Sequence, residues 1–386
     1  MKFIKNTLRF LLVFTALLIV LMYITDTDYL LKAVRSIYLK GHTTAYLEDY
    51  KEFDNQPIAA NIAQPWPNHK DYNTMSITPE LEQSNNDWGT IAYLIIKNDS
   101  IWFEKYYDGF DEDSKSNSFS MAKSYVSGLL GKAIMDGHIK SLDQPVCDFL
   151  PTFCEGKASK MTVGDLSSMA SGTDWDEAYY SPLSITTRAY FDDDLAKVIN
   201  GLTVVNEPGK AFKYASGDTQ MLAMVIEKAT GKKLYNYFES SFWKPLGSEN
   251  STLWQVDSED HDLVKAYCCI ASNAKDFARF GKLYKDFGKW NGQQVLDSSF
   301  VAKSIIPRFP DSPEYGYGWW LKQQNGKDFF MMRGHLGQYV IVQPEDNVII
   351  VRLGHQKSPD NNTHIFSNDI TTYIKEGYTM LNSPSN

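Results

Sequence analysis

The sequence predicts an α+β fold: an antiparallel sheet flanked by helices, a mainly helical lobe inserted between its strands, and a transmembrane helix ahead of both. Three observations carry that expectation. Strand-like runs gather at residues 90–107 and again at 317–353. Residues 140–280 between them are mostly helical in pattern, with irregular loops. Residues 10–24 are apolar but for Thr15. Strands on either side of a helical middle imply one sheet built from distant segments, with the helical lobe set beside it.

Along the chain, Lys2, Lys5 and Arg9 precede the apolar stretch and Thr25-Asp26-Thr27-Asp28 follows it. At ~1.5 Å per residue the stretch spans about 22 Å, short of a ~30 Å hydrocarbon core, although Arg9 can snorkel and lend another turn. No small-x-small cleavage site follows, and no cysteine stands where a lipoprotein anchor needs one. The expectation is an uncleaved single-pass anchor over residues 1–25, with a cleaved signal peptide and secretion as the rival. Positive charge before the span puts the N-terminus in the cytoplasm and the remainder outside, on the periplasmic side. Residues 26–75, with Gln64-Pro65-Trp66-Pro67-Asn68, read as a connector to a main domain over 76–386.

In that domain Thr90 to Ile96, a turn at Asn98-Asp99, and Ser100 to Tyr107 predict a hairpin. Ala122, Val126, Leu129, Leu130, Ala133 and Ile134 recur at helical spacing and stop near Asp136-Gly137. Within the lobe, about 140–280, the clearer helices are Met161 to Met169 and Met221 to Thr230, the second capped by Gly217-Asp218-Thr219 and ended by Gly231. Strands return at 317–321, 329–332, 337–342 and 348–353.

Composition excludes several classes. With 43% hydrophobic and 14% aromatic residues the chain of 386 residues folds rather than staying disordered. A net charge of -9 and a pI near 5.3 argue against nucleic acid as a partner. Cys147 and Cys154 close a short loop and suit pairing in an oxidising compartment, whereas adjacent Cys268 and Cys269 read as buried thiols. No cysteine shows metal-ligand spacing with histidine, so no zinc site is expected, and no cofactor is expected either.

The chemistry is carried by three patterns in order: Ser120-Met121-Ala122-Lys123, Tyr214-Ala215-Ser216 and Gly334-His335-Leu336-Gly337. A serine hydroxyl needs a base to become a nucleophile, and a lysine three residues on shares its helix face. Ser241-Phe242-Trp243-Lys244 and Ser272-Asn273-Ala274-Lys275 repeat the spacing, but the first runs into Pro245 and Ser272 reads as a helix N-cap. Ser120 opens a buried helix, where free N–H groups favour a developing oxyanion. The plain alternatives are an N-cap for Ser120, packing for Tyr214 among 23 tyrosines, a structural turn histidine for His335, and loop packing for Trp175 and Tyr179.

Together these motifs resemble the serine beta-lactamase and penicillin-binding superfamily, on its class C-like and esterase side. Leu142-Asp143-Gln144-Pro145-Val146, Pro208-Gly209-Lys210-Ala211-Phe212-Lys213-Tyr214 and Tyr315-Gly316-Tyr317-Gly318-Trp319-Trp320 agree with it over roughly residues 85–380. Tyr-x-Ser at the second motif, with Trp175-Asp176-Glu177-Ala178-Tyr179, looks most like the 6-aminohexanoate-dimer hydrolase branch. The resemblance implies a beta-lactamase/transpeptidase-like fold and an acyl-enzyme on Ser120, with Lys123 or Tyr214 taking its proton. It implies an oxyanion hole from the N–H groups of Ser120 and Gln338, beside His335 and Gly337. It also implies that Ser216 orients Lys123, with Tyr179 and Trp175 near substrate. The partner would be a small linear amide or ester. His335 stands where beta-lactam hydrolysing enzymes usually carry lysine, which removes a fixed cation unless Arg333 replaces it. A peptidoglycan-directed peptidase or beta-lactamase, or a silent ligand-binding sensor of the same fold, are the alternative functions.

Overall fold

In the computed structural model, which describes residues 2–359 and 365–383, six strands form one antiparallel sheet. They are β1 (Thr90–Lys97), β2 (Ser100–Tyr106), β3 (Trp320–Gln324), β4 (Lys327–Gly334), β5 (Gln338–Gln343) and β6 (Val348–Gly354). Their order is β2-β1-β6-β5-β4-β3, so the late strands return beside the early hairpin and β6 pairs with β1.

The helices that matter for the site are α1 (Lys2–Ile24), α2 (Tyr29–Ser36), α3 (Ala122–Met135), α4 (Ser216–Thr230), α5 (Ala274–Lys285) and α6 (Asn368–Asn382). Strand alternation assigns the sheet two covered faces. Tyr93, Ile95, Ile341 and Ile350 meet Tyr373 and Ile374 of α6. Leu94, Ile96, Val340, Val342 and Val351 face the larger core with α3 and α5. Burial on both faces is why β1 and β6 read as unbroken apolar runs rather than alternating ones.

Several boundaries differ from the sequence expectation for local reasons. The strand expected from Tyr317 starts at Trp320, because Gly318 sits at φ +78° and turns the chain first. The helix expected over 161–169 is only Val163–Ser167, opened by a capping box between Thr162 and Asp165. The helix expected from Met221 begins at Ser216, so Gly217 to Thr219 lie in its first turn. Asn273, not Ser272, caps α5, its Oδ1 accepting from the Asp276 N–H at 2.8 Å, while Ser272 ends a strand.

A second sheet was not foreseen. Asn55–Ile58, Thr252–Gln255, Ile270–Ser272 and Ser116–Asn117 pair in that order, so the 26–75 segment contributes a strand as well as α2. Cys147 and Cys154 are disulfide-bonded. Cys268 and Cys269 are joined as a vicinal pair, a correction to the reading of two thiols, since adjacent side chains on a turn with Cys269 at φ +78° point the same way.

Gly318 brings this chain against α3: the hydroxyls of Ser124 and Ser127 donate to the Gly318 and Tyr317 carbonyls at 2.5 and 2.7 Å. A Cβ at Gly318 would lie 2.4 Å from Ser127 Cβ. Gly318→Ala should therefore destabilise the protein by at least ~2 kcal/mol, through both its left-handed backbone and overpacking. An unchanged urea midpoint would contradict this packing.

Candidate active site

The nucleophile candidate is set up by a short strand and a strained turn. After Ser116–Asn117 pairs with Ile270–Ser272, Phe119 adopts φ +45°, which costs a non-glycine residue roughly 1–2 kcal/mol. Hydrogen bonds hold it there: Phe119 N–H donates to Asn117 Oδ1 (2.9 Å), Ser118 N–H to Ile270 O (2.7 Å), and Ile270 N–H to Ser118 Oγ (3.1 Å). Ser120 follows in a single 3-10 turn, Phe119–Met121, at the head of α3. One turn on, Lys123 Nζ donates to Ser120 Oγ at 2.8 Å and to the Tyr267 carbonyl at 2.9 Å.

Lys123 is buried, and the loss of hydration pushes its ammonium down to about 8, against the opposing charge of Glu177. Tyr214 moves the other way: burial and then Glu177 raise its hydroxyl above the ordinary phenol range, while a hydrogen bond with Ser120 pulls it back. The Lys123 Nζ lies 5.1 Å from the Tyr214 ring centroid. Burial thus brings the neutral amine within reach just above neutral pH and keeps the phenol protonated.

Glu177 is the group the sequence reading missed. Its Oε2 accepts from Trp175 Nε1 (2.6 Å) and the Ser216 N–H (2.7 Å), and its Oε1 accepts from the hydroxyls of Tyr179 and Ser216, both at 2.5 Å. Ser216 Oγ therefore donates to Glu177 rather than to Lys123, a correction to the expectation that it orients the lysine. Trp175 takes the packing alternative rather than the substrate role: at 0 % exposed, with its ring against Gly217, it lines neither cavity. The signal available was the acidic residue inside Trp175-Asp176-Glu177-Ala178-Tyr179, flanked by two donors.

The third motif is the β4–β5 turn, in which Gly334 pairs with Gln338. Leu336 (φ +61°) and Gly337 (φ +84°) make it tight. Buried Arg352 clamps it, Nη1 donating to the carbonyls of Gly337 (2.8 Å) and Leu336 (3.1 Å), so that a Cβ at Gly337 would meet Nη1 at 2.1 Å. The Gln338 side chain faces inward and bonds both backbone groups of Gly354. His335 is sandwiched, its ring stacked on Tyr179 at 5.5 Å and met edge-on by Phe119 at 5.6 Å.

Two cavities meet at Ser120, Tyr179, Tyr180 and His335. One, of about 580 Å³, is lined by Glu177, Tyr214, Arg333, Gln356 and Lys357. Arg333 thus faces the cavity beside Ser120, held across Trp320 with Nη1 donating to the Ile365 carbonyl at 2.9 Å. The other, of about 480 Å³, is walled by apolar and hydroxyl-bearing side chains. Among the described residues no cluster of His, Cys, Asp and Glu is placed to hold a metal ion.

A serine, a lysine one turn away and a tyrosine beside them stand together on a sheet-and-helix scaffold. The beta-lactamase family model matches residues 80–367, and the chain belongs to that family, one of serine hydrolases. It is 25% identical over 305 residues to the 6-aminohexanoate-dimer hydrolase of Paenarthrobacter ureafaciens, covering 73% of this chain and 76% of that one. Among solved structures, a Bacillus anthracis protein provisionally named a 6-aminohexanoate-dimer hydrolase superposes with TM-score 0.72 at 19% identity, over 87% of this chain and 92% of its own. EstCE1, a hydrolase with promiscuous acyltransferase activity, superposes with TM-score 0.59 at 15% identity over 77% and 96%. These two likenesses speak to fold alone.

Proposed function

We propose that this chain is a membrane-anchored serine hydrolase that cleaves amide or ester bonds through an acyl-enzyme on Ser120. The observation that carries the reading is the 2.8 Å contact of Lys123 Nζ with Ser120 Oγ, made by an amine whose burial favours its neutral form. Ser120 Oγ attacks the acyl carbonyl as its proton passes to Lys123, and the backbone N–H groups of Ser120 and Gln338 receive the oxyanion beside the Gly337 turn. Tyr214, kept protonated, supplies the proton that the leaving group takes. Water then attacks the acyl-enzyme, returning a proton to the Lys123–Tyr214 pair and freeing Ser120.

Likeness to the 6-aminohexanoate-dimer hydrolase supports linear amides as the first substrates to screen, and likeness to EstCE1 supports esters. Arg333 beside Ser120 places a guanidinium on that cavity, which suits a substrate carrying a carboxylate. The apolar helix α1, of 23 residues with none buried, has the length and composition to cross a membrane, as a signal sequence also would. Lys2, Lys5 and Arg9 before it support an extracytoplasmic catalytic domain.

The test is intact mass after exposure to a fluorophosphonate. One adduct on the full chain, mapped to Ser120 and absent from Ser120→Ala, is expected. No adduct on either protein would overturn the hydrolase reading in favour of a ligand-binding role.

A further inference from the structure

We infer that the acyl half of the substrate is a long hydrocarbon chain that enters from the membrane and lies in the 480 Å³ cavity, with its carbonyl at Ser120. The inference rests on the hydrolase and anchor readings above and names their substrate class. Its starting observation is continuity. The wall of this cavity runs from Leu18 and Met22 near the end of α1, past Val34 and Ile37 of α2, to Phe119 and Ser120. A greasy passage therefore joins the apolar N-terminal helix to the nucleophile.

The chemistry of the lining selects the occupant. No Asp, Glu, Lys or Arg lines this cavity, whereas the cavity on the other side of Tyr179 and His335 carries Glu177, Arg333 and Lys357. Of the hydroxyls on the first cavity's wall, those of Tyr179 and Ser216 already donate to Glu177, that of Tyr190 to Asp49 and that of Thr186 to the Asp176 carbonyl, so a peptide or sugar there would find few free partners. An alkyl chain would bury only methylenes there and leave its polar leaving group to the second cavity.

The passage is also tied in place. The Asp26 carboxylate, just past α1, pairs with Arg188 and, at 2.9 Å, with Lys197 of the helical lobe. On α2 the Tyr29 hydroxyl donates to the Pro182 carbonyl at 3.0 Å, fixing that helix to the loop that carries Glu177 and Tyr179. Lys32, on the other face of α2, donates to the Asp257 carbonyl at 3.0 Å and leaves Ala33, Val34 and Ile37 to the cavity. The membrane-proximal end of the lobe thus opens where a lipid tail would arrive.

In the reaction, Ser120 Oγ bonds to the acyl carbon as its proton passes to Lys123. The bond from that carbon to the head-group oxygen or nitrogen breaks, and the head group leaves with a proton from Tyr214. Water adds to the acyl-enzyme and releases a fatty acid, restoring Ser120 and the Lys123–Tyr214 pair.

The experiment uses the full chain in detergent with p-nitrophenyl butyrate and octanoate, and in phosphatidylcholine vesicles carrying 4-methylumbelliferyl palmitate. Each buried methylene is worth about fourfold in binding, so kcat/KM for octanoate should exceed that for butyrate at least tenfold. Val34→Asp and Thr44→Trp, which put a charge and a bulky ring into the passage, should each lower that ratio at least tenfold. The vesicle ester should be cleaved by the parent and not by Ser120→Ala. A fluorophosphonate adduct on Ser120 with equal rates on both soluble esters would overturn the inference and leave the hydrolase reading standing. A ratio unmoved by both variants would overturn the cavity assignment, and octanoate preference without vesicle cleavage would overturn membrane delivery. Failure of adduct and of all turnover would overturn both readings.

Discussion

Lys123→Met lowers kcat/KM by ~10³-fold or more if, as proposed, Lys123 takes the Ser120 proton. The protein nevertheless stays folded. In the parent the buried ammonium, held down to about 8 from an ordinary 10.5, costs about 3 kcal/mol at pH 7. Against that, the Tyr267 carbonyl loses its donor, at about 1–3 kcal/mol. The two nearly cancel at pH 7. Their pH dependence does not. Between pH 8 and 10.5 the unfolded lysine holds more proton than the folded one, so the parent gains stability as pH rises through that window and the methionine variant lacks that gain. Parent kcat/KM climbs through pH 8 on the same account, as the amine becomes neutral. Chemical unfolding of both proteins from pH 7 to 10.5, beside a pH–rate profile, checks the two together. A variant as active as the parent would remove Lys123 from the mechanism.

Glu177→Ala costs ~10²-fold or more in kcat/KM, because four donors on three residues lose their common acceptor and the Tyr179 loop is released from Ser216. Glu177→Gln recovers most of that activity. Its amide oxygen can take the Trp175 and Ser216 N–H groups while its NH₂ donates to the hydroxyls of Tyr179 and Ser216. What glutamine does not restore is charge. The Glu177 carboxylate raises the Lys123 affinity for a proton, so the neutral amide lets the amine deprotonate at lower pH and moves the acid limb of the profile below the parent's. A glutamine variant with an unshifted limb would show that Glu177 only holds the loop.

The parts legible in the sequence were those set by local contacts and by period. The β1–β2 turn at Asn98 and Asp99, both at positive φ, announces the hairpin from residue type alone. The apolar stripe of α3 and the spacing of Ser120 to Lys123 put both side chains on one helix face before any fold is known. The second sheet was hidden, because its strands run to four residues at most and two of them hold two and three, too short to show a period. The vicinal Cys268–Cys269 pair was hidden too, since adjacent cysteines bond only on a turn that nothing local announces.

The sequence by itself determined the kind of chemistry this protein can attempt, because a serine hydroxyl, an amine one helical turn away and a tyrosine are fixed by residue type and spacing. It also determined the anchor-like N-terminus, since an apolar run is a property of composition. Tertiary structure decided the rest. Whether Lys123 is a base depends on burial by Tyr267 and on the distance to Glu177, which lies 54 residues further on. The Gly337 turn depends on Arg352 reaching back from β6 to its carbonyls. The apolar passage exists only because α1, α2 and the Tyr179 loop converge on Ser120. Charge states and cavities are sums over neighbours distant in sequence, and one-dimensional spacing carries no record of which neighbours those are.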